Sequence, residues 1–237
     1  MSSGNRLCAA LGAVNWAGNV AEFSANTPAV EQFEAAALRL AIWSRQFENI
    51  EGKSNPAICF VREMQVAGHM AATASALGCY KLAASGLRTI VETALYYSYF
   101  RTHPVELATL LRDDKWYVSK QDILDYHAQH TSGFGELQKK WPLNSILNPW
   151  YSKISAVVHG QVPGVWHSQK GISGIKSNDA LLGEVVNELN VCIQIVDRLF
   201  FLTVGRELWQ NFSQSAKRSL IHGLPGDFKA VFGLDSA

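Results

Sequence analysis

Two groups of polar residues in the sequence combine side chains that can transfer protons or bind anions. The first is Arg88 and Glu92 in "AASGLRTIVETALYYSYF", and the second is Tyr151, Ser155 and His159 in "YSKISAVVHGQ". A histidine exchanges protons near neutral pH, and an arginine oriented by a glutamate can bind an anion. If the fold brings the two groups together, they predict acid–base chemistry on an anionic substrate.

Arg88 and Glu92 are four positions apart, so on a helix their side chains can pair directly. The pair has two interpretations. It can be a structural ion pair at the edge of a helix bundle, which is common without any catalytic role. Alternatively, Glu92 orients the guanidinium of Arg88 for binding to an anion. Residue types alone favour the structural interpretation and leave the second one open.

His159 precedes Gly160 at the predicted end of a helix, where an imidazole has room and access to solvent. Tyr151, Ser155 and His159 recur every fourth residue, so they share one helix face. His159 is either a general acid or base, or a capping residue that binds the last carbonyl groups of the helix. Both interpretations stay open. The candidate substrate-binding residues beside it are Tyr151, Lys153 and Ser155.

Other chemical motifs are weaker or missing. His127 and His130 form an H-x-x-H pair, but no third ligand follows at a suitable spacing. No Walker loop, G-x-G-x-x-G or G-x-S-x-G pattern occurs, which argues against the commonest nucleotide-dependent and hydrolase scaffolds. We therefore expect neither a metal ion nor a cofactor.

The elements that must position these residues are helices. Helical spacing of apolar residues covers most of the chain, and no pair of alternating strands is evident. Segment 131–142 has no clear assignment, and 160–178, which contains four glycines, is predicted to be an ordered loop. The predicted helices are one starting after Thr27 as N-cap, 56–77, 79–102, 104–112, one capped by Ser119, one with Asn148 as N-cap and Pro149 at its first position, and 179–214.

These patterns predict an all-α fold, a bundle of four or five longer helices with short inserted helices. We expect residues 1–54 to be an N-terminal segment with one helix that packs on the bundle. Residues 55–214 form the bundle itself, and residues 215–237 form a C-terminal tail.

Charge and cysteine usage limit the possible surroundings and partners. The chain of 237 residues has 21 basic and 20 acidic side chains, a net charge of +1. Such a balance gives no overall attraction to nucleic acid or anionic lipid, so RNA binding would require a local basic patch or a second copy of the chain. The four cysteines lie far apart, and no window approaches 18 uninterrupted apolar residues. We expect a cytoplasmic protein that does not contact a membrane.

The segments "AASGLRTIVETALYYSYFRTHPVEL" and "YSKISAVVHG" resemble the HEPN-like helical superfamily. The similarity is greatest to a bacterial branch with an A-x-x-x-L-R-x-x-x-E helix and a later Y-x-x-[LI]-S-x-x-V-H-G helix, and it covers about residues 55–210. This resemblance implies an all-α bundle that is frequently a homodimer. Many members are metal-independent endoribonucleases of toxin–antitoxin, CRISPR-associated and phage-defence systems.

The active site implied by the resemblance is an R-x(4–6)-H motif, duplicated across a dimer interface. His159 matches the histidine, but Lys153 stands where the arginine would be, and Ile154 replaces the polar residue that usually follows it. Lysine lacks the planar fork of arginine. We expect Arg88, oriented by Glu92, to supply the guanidinium from another helix, with His159 as acid or base.

The sequence leaves two candidate functions. The first is a metal-independent endoribonuclease of a toxin or phage-defence type that acts on RNA, as a homodimer and with a protein partner from such a system. The second is a catalytically inactive, HEPN-like interaction or ligand-sensing subunit of a defence complex. In that case the Arg88–Glu92 and Tyr151–Ser155–His159 groups fix the register of the helices.

Overall fold

The computed structural model describes residues 3–167, 169–224 and 226–232, and every regular element within them is a helix. Five of these helices have 15 residues or more, and shorter ones are inserted between them, so the predicted all-α architecture is confirmed. None of the described helices combines the length and apolarity needed to cross a lipid bilayer. The α-helices are α1 (Ser3–Gly12), α2 (Trp16–Ala25), α3 (Thr27–Glu51), α4 (Ile58–Ala76), α5 (Tyr80–Phe100), α6 (Pro104–Leu110), α7 (Lys120–His130), α8 (Phe134–Lys140), α9 (Asn144–Val158), α10 (Asp179–Leu202), α11 (Val204–Glu207), α12 (Gln214–Ile221) and α13 (Gly226–Phe232).

Helix α5 lies at the centre of the bundle and contacts α4, α9 and α10. Its apolar side is buried completely, as the 3.6-residue period of Leu87, Ile90 and Val91 predicts. Gly86 lets α4 approach closely, because a β-carbon there would lie 2.9 Å from the carbonyl oxygen of Ala67. The close packing of α4 on α5 therefore holds α5, and with it the polar face of this helix, in place. The two helices predicted here, 56–77 and 79–102, are confirmed to within a few residues.

Helix α3 belongs to the core of the bundle. Arg39 Nε pairs with Asp197 of α10 at 2.9 Å, and Trp43 Nε1 donates to the same carboxylate at 2.7 Å. The described part of the segment 1–54 also contains α1 and α2, so it has three α-helices and a 3₁₀ turn rather than the predicted one helix. The predicted N-cap Thr27 is wrong by one residue: the side chain of Asn26 accepts from the backbone N–H of Ala29.

The predicted start of α9 at Asn148 and Pro149 is also wrong. The helix begins at Asn144, and Pro149 lies inside it. Leu143 and Leu147 are fully buried, so tertiary packing stabilises a turn that precedes the proline. Proline within a helix removes one backbone hydrogen bond, and this burial offsets the loss.

The helix predicted over 179–214 ends early, at Leu202. Thr203 leaves the helical conformation, and its hydroxyl donates to the carbonyl oxygen of Leu199. Gly205 then packs against Trp43, where a β-carbon would lie only 2.6 Å from the indole ring. These tertiary contacts redirect the chain into α11 and a 3₁₀ turn. The region assigned to a tail, 215–237, contains most of α12 and all of α13.

Candidate functional site

The two polar groups singled out by the sequence meet at the packing of α5 against α9. Arg88 lies in the middle of α5, and its guanidinium contacts three side chains. Nε pairs with Glu92 Oε1 at 2.9 Å, one turn further along α5. Nη2 donates to the hydroxyl of Tyr151 at 3.1 Å, and Nη1 lies 2.5 Å from Nε2 of His159, both on the neighbouring helix. Arg88 therefore joins both groups into one cluster.

Tyr151 completes a closed ring of hydrogen bonds with Arg88 and Glu92. Its hydroxyl donates to Glu92 Oε1 at 2.6 Å while it accepts from Arg88, whose guanidinium carbon lies 5.2 Å from the centre of the phenol ring. Burial and the hydrogen bond to Glu92 raise the pKa of Tyr151 to about 12. Burial opposes the charged form of Arg88, but Glu92 and Tyr151 outweigh it and raise the pKa of the guanidinium. Arg88 is thus a fixed, permanent cation.

His159 stands at the end of α9, as predicted, and its side chain is exposed to solvent. Its backbone N–H bonds to the carbonyl oxygen of Ser155. Arginine has only donors, so Nε2 of His159 accepts in its contact with Arg88. The imidazole in this contact is neutral and carries its proton on Nδ1. A neutral, solvent-accessible imidazole beside a guanidinium can accept a proton from a substrate whose negative charge the guanidinium binds.

The three predicted substrate-binding residues are not all brought to this cluster. Tyr151 is part of it. Lys153 points elsewhere, because it follows Tyr151 by two positions, which on a helix correspond to a rotation of about 200°. Its Nζ bonds to Glu188 of α10 at 2.5 Å. Ser155 lies between Tyr151 and His159, but its hydroxyl oxygen is buried and forms no hydrogen bond within the described residues. Of the three, only Tyr151 is therefore bonded to Arg88 and Glu92.

A cleft of about 470 Å³ adjoins the Arg88–Glu92–Tyr151 ring and extends towards the start of α7. Lys120 lines this cleft, with its ammonium 5.0 Å from the centre of the Tyr151 ring and bonded to Asn148. Burial lowers the pKa of Lys120. Tyr117, whose exposed fraction is 70%, forms another part of the lining. The cleft thus combines two cations with exposed aromatic surface.

A third cation lies on the His159 side of the cluster. A β-carbon on Gly160 would be 3.3 Å from Nζ of Lys81, which places this ammonium next to the end of α9. Lys81 thus lies beside Gly160 and Lys120 beside Tyr151, while Glu92 is the carboxylate bonded to Arg88.

Metal ligands are not clustered in the part of the chain that the structure describes: no three histidine, cysteine, aspartate or glutamate side chains lie close enough to hold an ion. His127, one member of the H-x-x-H pair, is instead buried, with its ring nitrogens bonded to Thr131 and Ser98. The H-x-x-H pattern therefore includes a histidine that is buried and hydrogen-bonded to its neighbours.

No protein-family model, curated protein or solved structure matches this chain. The site must be interpreted from its own geometry.

Sequence reasoning missed the two lysines and Tyr117. Lys81 precedes Arg88 by seven residues, two helical turns, so helical periodicity would have placed it on the same stripe of α5. Lys120 and Tyr117 lie in another part of the chain and reach the site through the packing of α7 on α5. No local pattern identifies them.

Proposed function

We propose that this protein is a HEPN-like, metal-independent endoribonuclease of a toxin or phage-defence type. The observation that supports the proposal best is the contact between Arg88 and His159 across α5 and α9. It pairs a permanent phosphate-binding cation with a neutral, exposed imidazole, and the lysines around it provide further positive charge. We further propose that the protein acts in the cytoplasm as a homodimer, together with a protein partner of such a system.

In the proposed reaction, a phosphate oxygen of RNA replaces His159 as the acceptor of the Nη1–H of Arg88, which frees the lone pair of His159 Nε2. His159 Nε2 takes the proton of the neighbouring 2′-hydroxyl, whose oxygen forms a bond to phosphorus. Arg88 stabilises the charge that develops on the phosphorane. The bond from phosphorus to the 5′ oxygen then breaks, and the imidazolium returns its proton to that oxygen. The products carry a 2′,3′-cyclic phosphate and a 5′-hydroxyl, and Glu92 keeps Arg88 in position throughout.

The test is RNA cleavage in the presence of EDTA, with analysis of the product ends. Wild-type protein is compared with Arg88→Gln and His159→Gln, and the matched controls are Arg45→Gln and His69→Gln, which change exposed residues on α3 and α4. Loss of general acid–base catalysis reduces rates by about 10²–10⁴-fold. We expect that loss in the two site variants only, and cyclic phosphate ends in the wild-type products. Equal cleavage by all five proteins would exclude the proposed site.

The second candidate is a non-catalytic interaction or ligand-sensing subunit. It is favoured by the hydrogen-bond ring of Arg88, Glu92 and Tyr151, which links α5 to α9 and would fix their register even without chemistry. This function predicts no RNA cleavage by the wild type, together with a lower unfolding midpoint for Arg88→Gln. A sensor would also be stabilised against heat by its ligand, without turnover.

A further inference from the structure

A second pocket lies at the C-terminal end of α5. It has a volume of about 400 Å³, within the range of small-molecule sites. Arg101, which lines it, follows Arg88 by 13 positions, so about 20 Å of helix separates the two. Its other walls are the end of α7, the loop at Thr131 and Ser132, and the break between α10 and α11. The helix that the sequence predicts to continue through residue 214 ends at Leu202, on this wall of the pocket.

The floor of the pocket is a fixed arrangement around His127. The hydroxyl of Ser98 donates to the carbonyl oxygen of Leu95, so it accepts from Nε2–H of His127 at 3.0 Å. Nδ1 then accepts from the hydroxyl of Thr131 at 2.7 Å. Burial lowers the pKa of His127 to about 4, which agrees with a neutral ring. The floor therefore offers rigid support and no charge.

The two arginines on the pocket walls differ in whether a carboxylate pairs with them. Arg101 pairs with two carboxylates, Glu51 and Glu207. Arg206 has no such partner: among the described residues its guanidinium bonds to the backbone carbonyl of Ser132, at 3.0 Å from Nη1, and to no carboxylate. Gly133 leaves room for it, since a β-carbon there would lie 3.2 Å from Nη1. Arg206 is thus held at the pocket wall with N–H donors to spare.

We propose that this pocket binds a small organic anion, a carboxylate or a phosphate monoester, with Arg206 as its charge partner. A guanidinium binds either group through paired N–H donors. Tyr126 and His130, which also line the pocket, supply polar and aromatic contacts for the remainder of the ligand. The site is independent of the proposed ribonuclease activity, because it shares no residue with the Arg88–His159 cluster.

The test is an NMR titration of the full-length protein with inorganic phosphate and, separately, with succinate, at constant pH and ionic strength. We expect saturable shifts of residues at the end of α7 and in α11. Arg206→Gln should weaken binding at least about tenfold, because a charge-assisted hydrogen bond is lost. Arg6→Gln, a change at an exposed arginine of α1, should leave it unchanged. The anion that binds more tightly identifies the ligand class.

Two results would overturn the proposal: neither anion gives saturable shifts at this pocket, or Arg206→Gln binds as tightly as the wild type. If Arg206→Gln does not fold, Arg206→Lys tests the paired N–H donors of the guanidinium, since it keeps the charge and loses the planar fork. Equal affinity of that variant and the wild type for succinate would also contradict the proposed role of Arg206. Loss of RNA cleavage in Arg88→Gln bears only on the first site.

Discussion

Nη1 of Arg88 lies 2.5 Å from Nε2 of His159, although 71 positions separate the two residues in the sequence. The contact crosses from the middle of α5 to His159, the residue that caps the C-terminus of α9, and it places a guanidinium against an exposed imidazole. Glu92 and Tyr151 hold the guanidinium from the other side. This relationship unites the two sequence motifs into one site, and the predictions below separate its structural role from its chemical one.

The hydroxyl of Tyr151 contributes to stability through its bonds to Glu92 and Arg88. Tyr151→Phe removes both bonds and leaves a carboxylate and a guanidinium without one partner each. Because these bonds involve charged groups but the site is partly exposed, we expect a loss of about 1–2 kcal/mol in the free energy of unfolding. Urea denaturation measures it. Tyr117→Phe, at an exposed tyrosine, is the control and should change stability by less than about 0.5 kcal/mol. Equal effects of the two changes would contradict the ring of hydrogen bonds.

If the protein binds RNA as proposed, Tyr117 is the exposed aromatic side chain in the cleft on which a base would stack. Its side chain is 70% exposed and lines the cleft beside Arg88 and Lys120. Stacking of a base on an aromatic ring contributes about 1–3 kcal/mol, so Tyr117→Ala should weaken RNA binding by roughly 5- to 150-fold. Tyr117→Phe keeps the ring and should bind like the wild type. Both variants are made in a protein that also carries His159→Gln, which prevents cleavage, and their affinity for a fluorescent oligonucleotide is measured. Equal affinity of Tyr117→Ala and Tyr117→Phe would show that Tyr117 does not contact the RNA.

The sequence predicts the α4–α5 hairpin well and the surroundings of α10 poorly, for physical reasons. Alanine-rich helical periodicity and the stop at Pro104 are local signals, and both are present in the structure. The end of α10 at Leu202 depends instead on contacts between distant residues, such as Gly205 against Trp43 of α3. The same holds for the start of α9, where buried Leu143 and Leu147 override the local proline signal.

The candidate site, like the fold, was predictable from the sequence where the signal is local and not where it depends on helix packing. Pairs on one helix, such as Arg88 with Glu92 or Tyr151 with His159, follow from helical spacing. That these two faces meet follows only from the packing of α5 against α9. Lys153 looked suitable by residue type, yet helix geometry directs it to Glu188. Lys120 comes from α7, a helix that the Ser119 cap predicts, but no local signal in the sequence indicates that this helix starts against Tyr151.

The buried His127 should make stability depend on pH. Its pKa is lowered to about 4 in the folded state by burial, whereas in the unfolded chain it keeps the ordinary value of 6.5. Between these values the unfolded chain binds the extra proton, so stability falls as pH falls through this window. The expected loss between pH 7 and pH 5 is about 2 kcal/mol. Urea unfolding at both pH values measures it, and His127→Asn should show a smaller difference. An identical pH dependence in both proteins would contradict the burial of a neutral ring.

Alanine substitutions at Gly205 and at Gly183 together test why the chain leaves the helical conformation after α10. Alanine at 205 would place a β-carbon 2.6 Å from the ring of Trp43 and 2.7 Å from the carbonyl oxygen of Phe200. We expect Gly205→Ala to destabilise the protein by about 3 kcal/mol. Gly183 lies in α10 with open space around it, so Gly183→Ala should stabilise the helix by about 0.5–1 kcal/mol. Thermal unfolding measures both, and tolerance of alanine at 205 would contradict the packing of α11 on α3.

The most direct test of the central claim is the cleavage rate of one defined, unpaired oligoribonucleotide under single-turnover conditions with EDTA. The substrate is compared with the same oligonucleotide carrying a 2′-deoxy sugar at the cleaved position, using wild type and His159→Gln. We predict that the wild type cleaves only the ribose substrate, because His159 activates its 2′-hydroxyl beside Arg88. His159→Gln should be at least about 100-fold slower while remaining folded. Cleavage of the deoxy substrate at the same position, an unchanged rate in His159→Gln, or no cleavage by the wild type would contradict the account.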